Sequence, residues 1–133
     1  MNDAEQCKYR PGQIWEYKTR SSEPLSTLTI LKITTAEWGE TIVHIAINHL
    51  HLIDNTGEAV SDVITHTVVS PEVLNRSVTK LVTESGPIPD FAEGYADWQI
   101  ESGGSFNTDE TTVASVVTLI ENAWCHGYEE PIH

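Results

Sequence analysis

At Ser70-Pro71-Glu72 the chain changes its periodicity, and that change sets the class of fold it can adopt. Before this point apolar and polar residues alternate with the two-residue repeat of half-buried strands. After it they recur at three and four, the repeat of a helix buried on one side. Pro11-Gly12 marks a turn, and Gln13 to Arg20 then place Trp15 and Tyr17 on one face and Glu16, Lys18 and Arg20 on the other. Ser21 to Pro24 form a short connection to Leu25 to Thr34, whose β-branched residues predict the hairpin partner of the first strand. Glu37-Trp38-Gly39-Glu40 interrupts the pattern. Thr41 to Ile53 predicts a third strand with Val43, Ile45 and Ile47 on one face. The turn Asp54-Asn55-Thr56-Gly57 leads to a fourth strand over Asp62 to Val69.

Ser70 is a favoured helix cap, Pro71 suits the first helical position, and Glu72 complements the helix dipole. Leu74, Val78, Leu81 and Val82 follow at helical spacing, and Pro87 and Pro89 end the element. A second helix is predicted from about Asp90, with Phe91, Tyr95 and Trp98 on one side and Gly94 weakening it. Gly103-Gly104 is a break, and Ser105 to Thr108 fit a short edge strand. A third helix is predicted from about Asp109 to Trp124 on the spacing of Val113, Val116, Val117, Ile120 and Trp124; its β-branched residues leave a strand open as the alternative. The expected architecture is α+β: an N-terminal antiparallel sheet of about four strands in a meander, followed by about three helices packed on one face.

The 133 residues are 39% hydrophobic with four Trp and four Tyr, enough for one core. This is the expectation of a single domain over 1–133, with 1–8 flexible, 9–69 a sheet half and 70–133 an acidic helical half. The opening Met-Asn-Asp-Ala-Glu-Gln-Cys has neither the basic nor the apolar region of a secretory signal, and no stretch approaches the ~20 apolar residues of a membrane span. A cytoplasmic protein with Cys7 and Cys125 as free thiols is expected.

Tyr9-Arg10-Pro11-Gly12-Gln13-Ile14-Trp15-Glu16-Tyr17-Lys18-Thr19-Arg20, followed by Ser26-Thr27-Leu28-Thr29-Ile30, resembles the opening of a family of small, uncharacterised bacterial proteins. Ser77-Val78-Thr79-Lys80-Leu81-Val82 is also similar to that group. The resemblance implies a bacterial source and attaches no activity, cofactor or site residue.

Charge is distributed unevenly. The net charge is −13, and Leu81 to His133 hold ten Asp and Glu and no Lys or Arg. A field of that sign repels nucleic acid and anionic membranes and attracts a basic protein. Asp90, Glu93, Asp97 and Glu101 are spaced to form one stripe on the second helix. Asp90 with Glu93 fits a capping box, and Asp109 with Glu110 would serve the first turn of the third helix. Asp97, Glu101, Glu121, Glu129 and Glu130 have no such local role.

Catalytic signatures are absent: there is no phosphate-binding loop, dinucleotide fingerprint, nucleophile elbow or C-x-x-C. His49 and His51 have the spacing of a metal-binding pair on a strand, with His66 or His44 as a further ligand. His44 has the opposite parity to the pair unless a bulge intervenes. Two histidines on the polar face of a strand are also an ordinary surface pattern. Cys125-His126 is an adjacent pair, which is poor geometry for a nucleophile and its base. The expected function is therefore that of a non-catalytic acidic binding module needing no cofactor. The kind expected is an immunity or inhibitor protein that neutralises a basic partner such as a bacterial toxin nuclease. Glu93, Tyr95, Asp97, Trp98 and Glu101 are the expected partner-binding residues, with Tyr95 or Trp98 as an exposed aromatic anchor. The alternatives are a small metal-dependent or hydrolytic enzyme on a His49, His51 and His66 face, and an acidic housekeeping or ligand-binding domain.

Overall fold

Alternating burial in the first half builds the sheet. In the computed structural model, which describes residues 8–37, 39–54, 56–101 and 111–126, β1 is Ile14–Tyr17, β2 Thr27–Thr35, β3 Thr41–Asn48 and β6 Ile64–Val69. They pair antiparallel in the order β6-β3-β2-β1, so sequence neighbours are spatial neighbours in the meander expected from the turns. Trp15 lies opposite Leu28, Leu28 opposite Ile47, and Val43 opposite Val69. These side chains form one face of the sheet and the main core.

The third strand stops earlier than its composition suggests. His49 adopts φ 57, a left-handed conformation that ends the extended run at Asn48. Leu52–Ile53 (β4) then pairs with Ala59–Ser61 (β5) as a separate two-stranded ribbon. Its turn is held by Asp54, whose carboxylate accepts from the Thr56 and Glu58 backbone N–H groups.

α1, Pro71–Ser77, starts as the sequence predicts: the Ser70 side chain accepts from Val73 N–H, Pro71 opens the first turn, and Val73 and Leu74 are buried in the core. It ends after seven residues, and Val78–Thr83 form β7, antiparallel to β1. This corrects the helical reading of Val78, Leu81 and Val82. β1 has β2 on one side only, and the donors and acceptors of its second edge need a partner. The β-branched Val78, Thr79, Val82 and Thr83 suit the strand that supplies one. The helical half thus returns a fifth strand to the sheet, giving the order β6-β3-β2-β1-β7.

α2 is Ala92–Glu101 and α3 is Val113–His126, which resolves the strand alternative for that segment as helix. Thr112 caps α3: its hydroxyl accepts from Ser115 N–H at 3.2 Å while the Ser115 hydroxyl accepts from Thr112 N–H at 2.9 Å. Asp109, Glu110, Gly103-Gly104 and the expected strand at Ser105 to Thr108 lie outside the described residues, as do Cys7, Glu129 and Glu130. Val113, Val116 and Val117 pack into the core beside α1. Ser77 ties the two helices, its hydroxyl donating to Val73 C=O at 2.7 Å and accepting from Val113 N–H at 2.9 Å.

The α+β order stands, but the helices divide between the faces of the sheet. α1 and α3 cover the face of Val43 and Ile45, whereas α2 packs over His44 and His66 on the opposite face. β3 is consequently buried on both sides from Ile42 to Ile47. Pairing of apolar area decided this: the first face was already filled by α1 and α3, and Phe91, Tyr95 and Trp98 found their cover on the second.

Candidate functional site

Two histidines on adjacent strands meet under α2. His44 alternates with Val43 and Ile45 and so points away from the main core. His66 comes to the same face by ordinary alternation, since Val68 lies opposite His44 and His66 is two residues from Val68. The irregularity lies beyond it: Ile45 pairs with Thr67 and Ile47 with Ile64, and the extra residue turns Ile64 to the core face. His44 Nδ1 and His66 Nε2 are 2.9 Å apart, and His44 Nε2 is 2.9 Å from the Thr34 hydroxyl. The result is a hydrogen-bonded chain from β2 through β3 to β6.

Aromatic side chains of α2 close over it. Trp98 meets His44 edge to face with centroids 4.7 Å apart, Tyr95 lies 5.2 Å from the same ring, and Phe91 stacks parallel to His66 at 6.1 Å. Gly94 permits this approach: a Cβ there would stand 2.7 Å from His66 Cβ. Its place in the helix, a weakness by propensity, is what lets α2 seat on β6. Lys32 on β2 lays its ammonium 5.6 Å from the Tyr95 ring centre.

Burial holds both imidazoles neutral. His44 is fully buried, and desolvation first, then repulsion between a proton here and charge on His66 or Lys32, lowers its pKa to about 4. Desolvation also lowers that of His66. A neutral imidazole pair offers one donor and one acceptor to each link of the chain.

The expected site residues fall into two groups. Glu93 and Asp97 are exposed on the outer side of α2, and Glu101 closes the helix. Tyr95 and Trp98 are half-buried against the histidines, which corrects their expected place as exposed anchors: helical spacing puts them a third of a turn from the acids, toward the sheet. Asp90 accepts from Ala92 N–H at 3.1 Å, an Asx turn ahead of the helix in place of the expected capping box with Glu93.

His49 and His51 do not join His66. Both are exposed beyond the end of β3, and the His51 N–H donates to Glu23 on the side where α3 packs. Among the described residues no three His, Cys, Asp or Glu converge as a metal-ligand set. The pair that does form, His44 with His66, was visible in the parity of β3 and β6, but that signal needs the register of the two strands.

Glu121 has structural work that its position in the sequence did not suggest. Arg20 donates to Glu23 through Nε at 2.7 Å and through Nη2 at 3.0 Å, and to Glu121 through Nη1 at 2.8 Å. Glu121 also accepts from Ile53 N–H, and these bonds hold its carboxyl below the usual range. The clamp joins α3, the β1–β2 connection and β4.

The remaining charges separate across the sheet. Of the exposed cations, Lys8, Arg10, Lys18 and Lys80 lie on or beside β1 and β7, with Glu16 and Glu84 among them; Lys32 lies under Tyr95. Arg20 is held in the clamp, and Arg76 donates to the Thr111 carbonyl. β7 and β6 are the two edges, four strand spacings or about 19 Å apart. Asp90, Glu93 and Asp97 are exposed on the β6 side. Among the described residues no helix is long and apolar enough to cross a membrane. No protein-family model, curated protein or solved structure matches the chain.

Proposed function

We propose that this is an acidic protein-binding module of the cytoplasm whose outer α2 face recognises a basic partner, in the manner of an immunity or inhibitor protein that neutralises a toxin nuclease. The observation that carries the reading is the segregation of charge. Glu93 and Asp97 are presented on a helix fixed to the sheet by its inner aromatic residues, while four of the five exposed cations stand at the far edge. Uncompensated carboxylates on a rigid support attract a cationic surface and accelerate its approach. The enzyme alternative on His49, His51 and His66 has no converged set among the described residues to support it.

The test uses the wild-type chain and a Glu93→Lys/Asp97→Lys variant as paired baits in lysate of the source cell at low salt. A basic protein held by the wild type, released at moderate salt and lost by a variant of unchanged thermal stability supports the reading. Equal retention by both baits removes α2 as the binding face.

A further inference from the structure

We propose that the docking of α2 on the sheet is gated by protons, with the His44–His66 pair as its landing surface, so that α2 lifts from the sheet when the pair gains charge. The inference rests on packing and does not depend on the basic-partner reading. α2 is seated by Phe91, Tyr95, Trp98 and the close approach of Gly94, and each of these meets His44, His66 or both. Ala92, Glu93, Ala96 and Asp97 of the same helix are exposed, and the lead-in from Pro87 to Asp90 is exposed as well. A helix held by one patch opens at lower free energy than the core beneath it.

The patch tolerates charge poorly. In the neutral chain Thr34–His44–His66 every link has one donor and one acceptor; with both rings protonated, N–H faces N–H across the 2.9 Å contact and the link is lost. The charged groups on or next to the elements that carry and cover the pair are Lys32 on β2, Glu40 just before β3, Asp90 just before α2, and Glu93, Asp97 and Glu101 on it. Those that act on His44 are His66 and Lys32, both of which oppose a proton there. Lifting α2 returns the rings to water and lets them charge. The main core lies on the other face with α1 and α3, so the sheet does not need α2 in order to persist.

Amide hydrogen exchange at pH 7.5 and pH 5.0, corrected for intrinsic rates, tests the proposal on the intact chain. A His44 midpoint near 4 when docked against 6.5 when open corresponds to roughly a 30-fold shift toward the open state at pH 5. Amides of α2 should lose about that much protection and stay well below those of β3 and α3, which report global unfolding, at both pH values. By reciprocity, Trp98→Ala, which weakens docking, should raise the His44 titration midpoint toward 6.5 in NMR. Unchanged α2 protection at pH 5, α2 protection equal to that of β3 and α3 at both pH values, or a His44 midpoint unmoved by Trp98→Ala would each overturn it.

Discussion

His44 Nδ1 and His66 Nε2 stand 2.9 Å apart on neighbouring antiparallel strands, on the face of the sheet turned away from the main core. The contact joins the fold to the candidate site: the register that sets Val68 opposite His44 positions the second ring, and α2 closes over both. The inner face of α2 is thereby committed to packing, and Glu93 and Asp97 are left exposed on its outer side.

Stability should fall with acid in a window set by the histidines. Their folded pKa values are depressed, so below about pH 6.5 the unfolded chain binds more protons than the folded one and stability declines until His44 itself titrates near pH 4. Glu121, also depressed, adds its loss only below the ordinary carboxylate range, at the acid end of that window. Urea unfolding at pH 7.5 and 5.0 should differ by on the order of 2 kcal/mol. His44→Gln should flatten the difference, and an unchanged slope would assign the loss to other groups.

Gly94→Ala should destabilise although alanine is the better helix former by ~1 kcal/mol. The new Cβ stands 2.7 Å from His66 Cβ and 3.3 Å from its Cγ, contacts that require α2 or β6 to move. Overpacking of this kind costs ~1–3 kcal/mol, so the melting temperature should drop by a few degrees. A melting temperature above wild type would show that α2 is not seated this closely.

Arg20→Met should be more damaging than Glu121→Gln. The Glu23 side chain is 1% exposed and relies on Arg20 for its charge partner, whereas that of Glu121 is 14% exposed and keeps Ile53 N–H. Removing the guanidinium from a buried carboxylate costs about 3 kcal/mol; loss of the outer pair costs ~1. Chemical denaturation of the two variants measures the order, and equal effects would deny Glu23 its special dependence.

Ser77→Ala should cost about 2 kcal/mol despite removing a single oxygen. The hydroxyl is fully buried and accepts from Val113 N–H, which is left without that acceptor in the variant. Ser77→Thr keeps the hydroxyl and should recover part of the loss if the added methyl is accommodated. An alanine variant as stable as wild type would mean that Val113 finds another acceptor.

What the sequence determined by itself was the content of short stretches. Alternation around Trp15, Leu28 and Val43 specified strands, Asp54 to Gly57 specified a turn, Ser70-Pro71 specified where a helix begins, and the valine spacing after Thr112 specified α3. Those signals act over a few residues and survive without knowledge of neighbours. Tertiary structure decided which elements meet. Val78 to Thr83 became a strand because β1 had an open edge, α2 took the second face because the first was filled, and His66 found His44 through the register in which β6 pairs with β3. Arg20 reached Glu121 across 101 residues. Hydrogen-bond partners, burial and the charge a side chain carries depend on what lies beside it in space, and a linear chain does not state that.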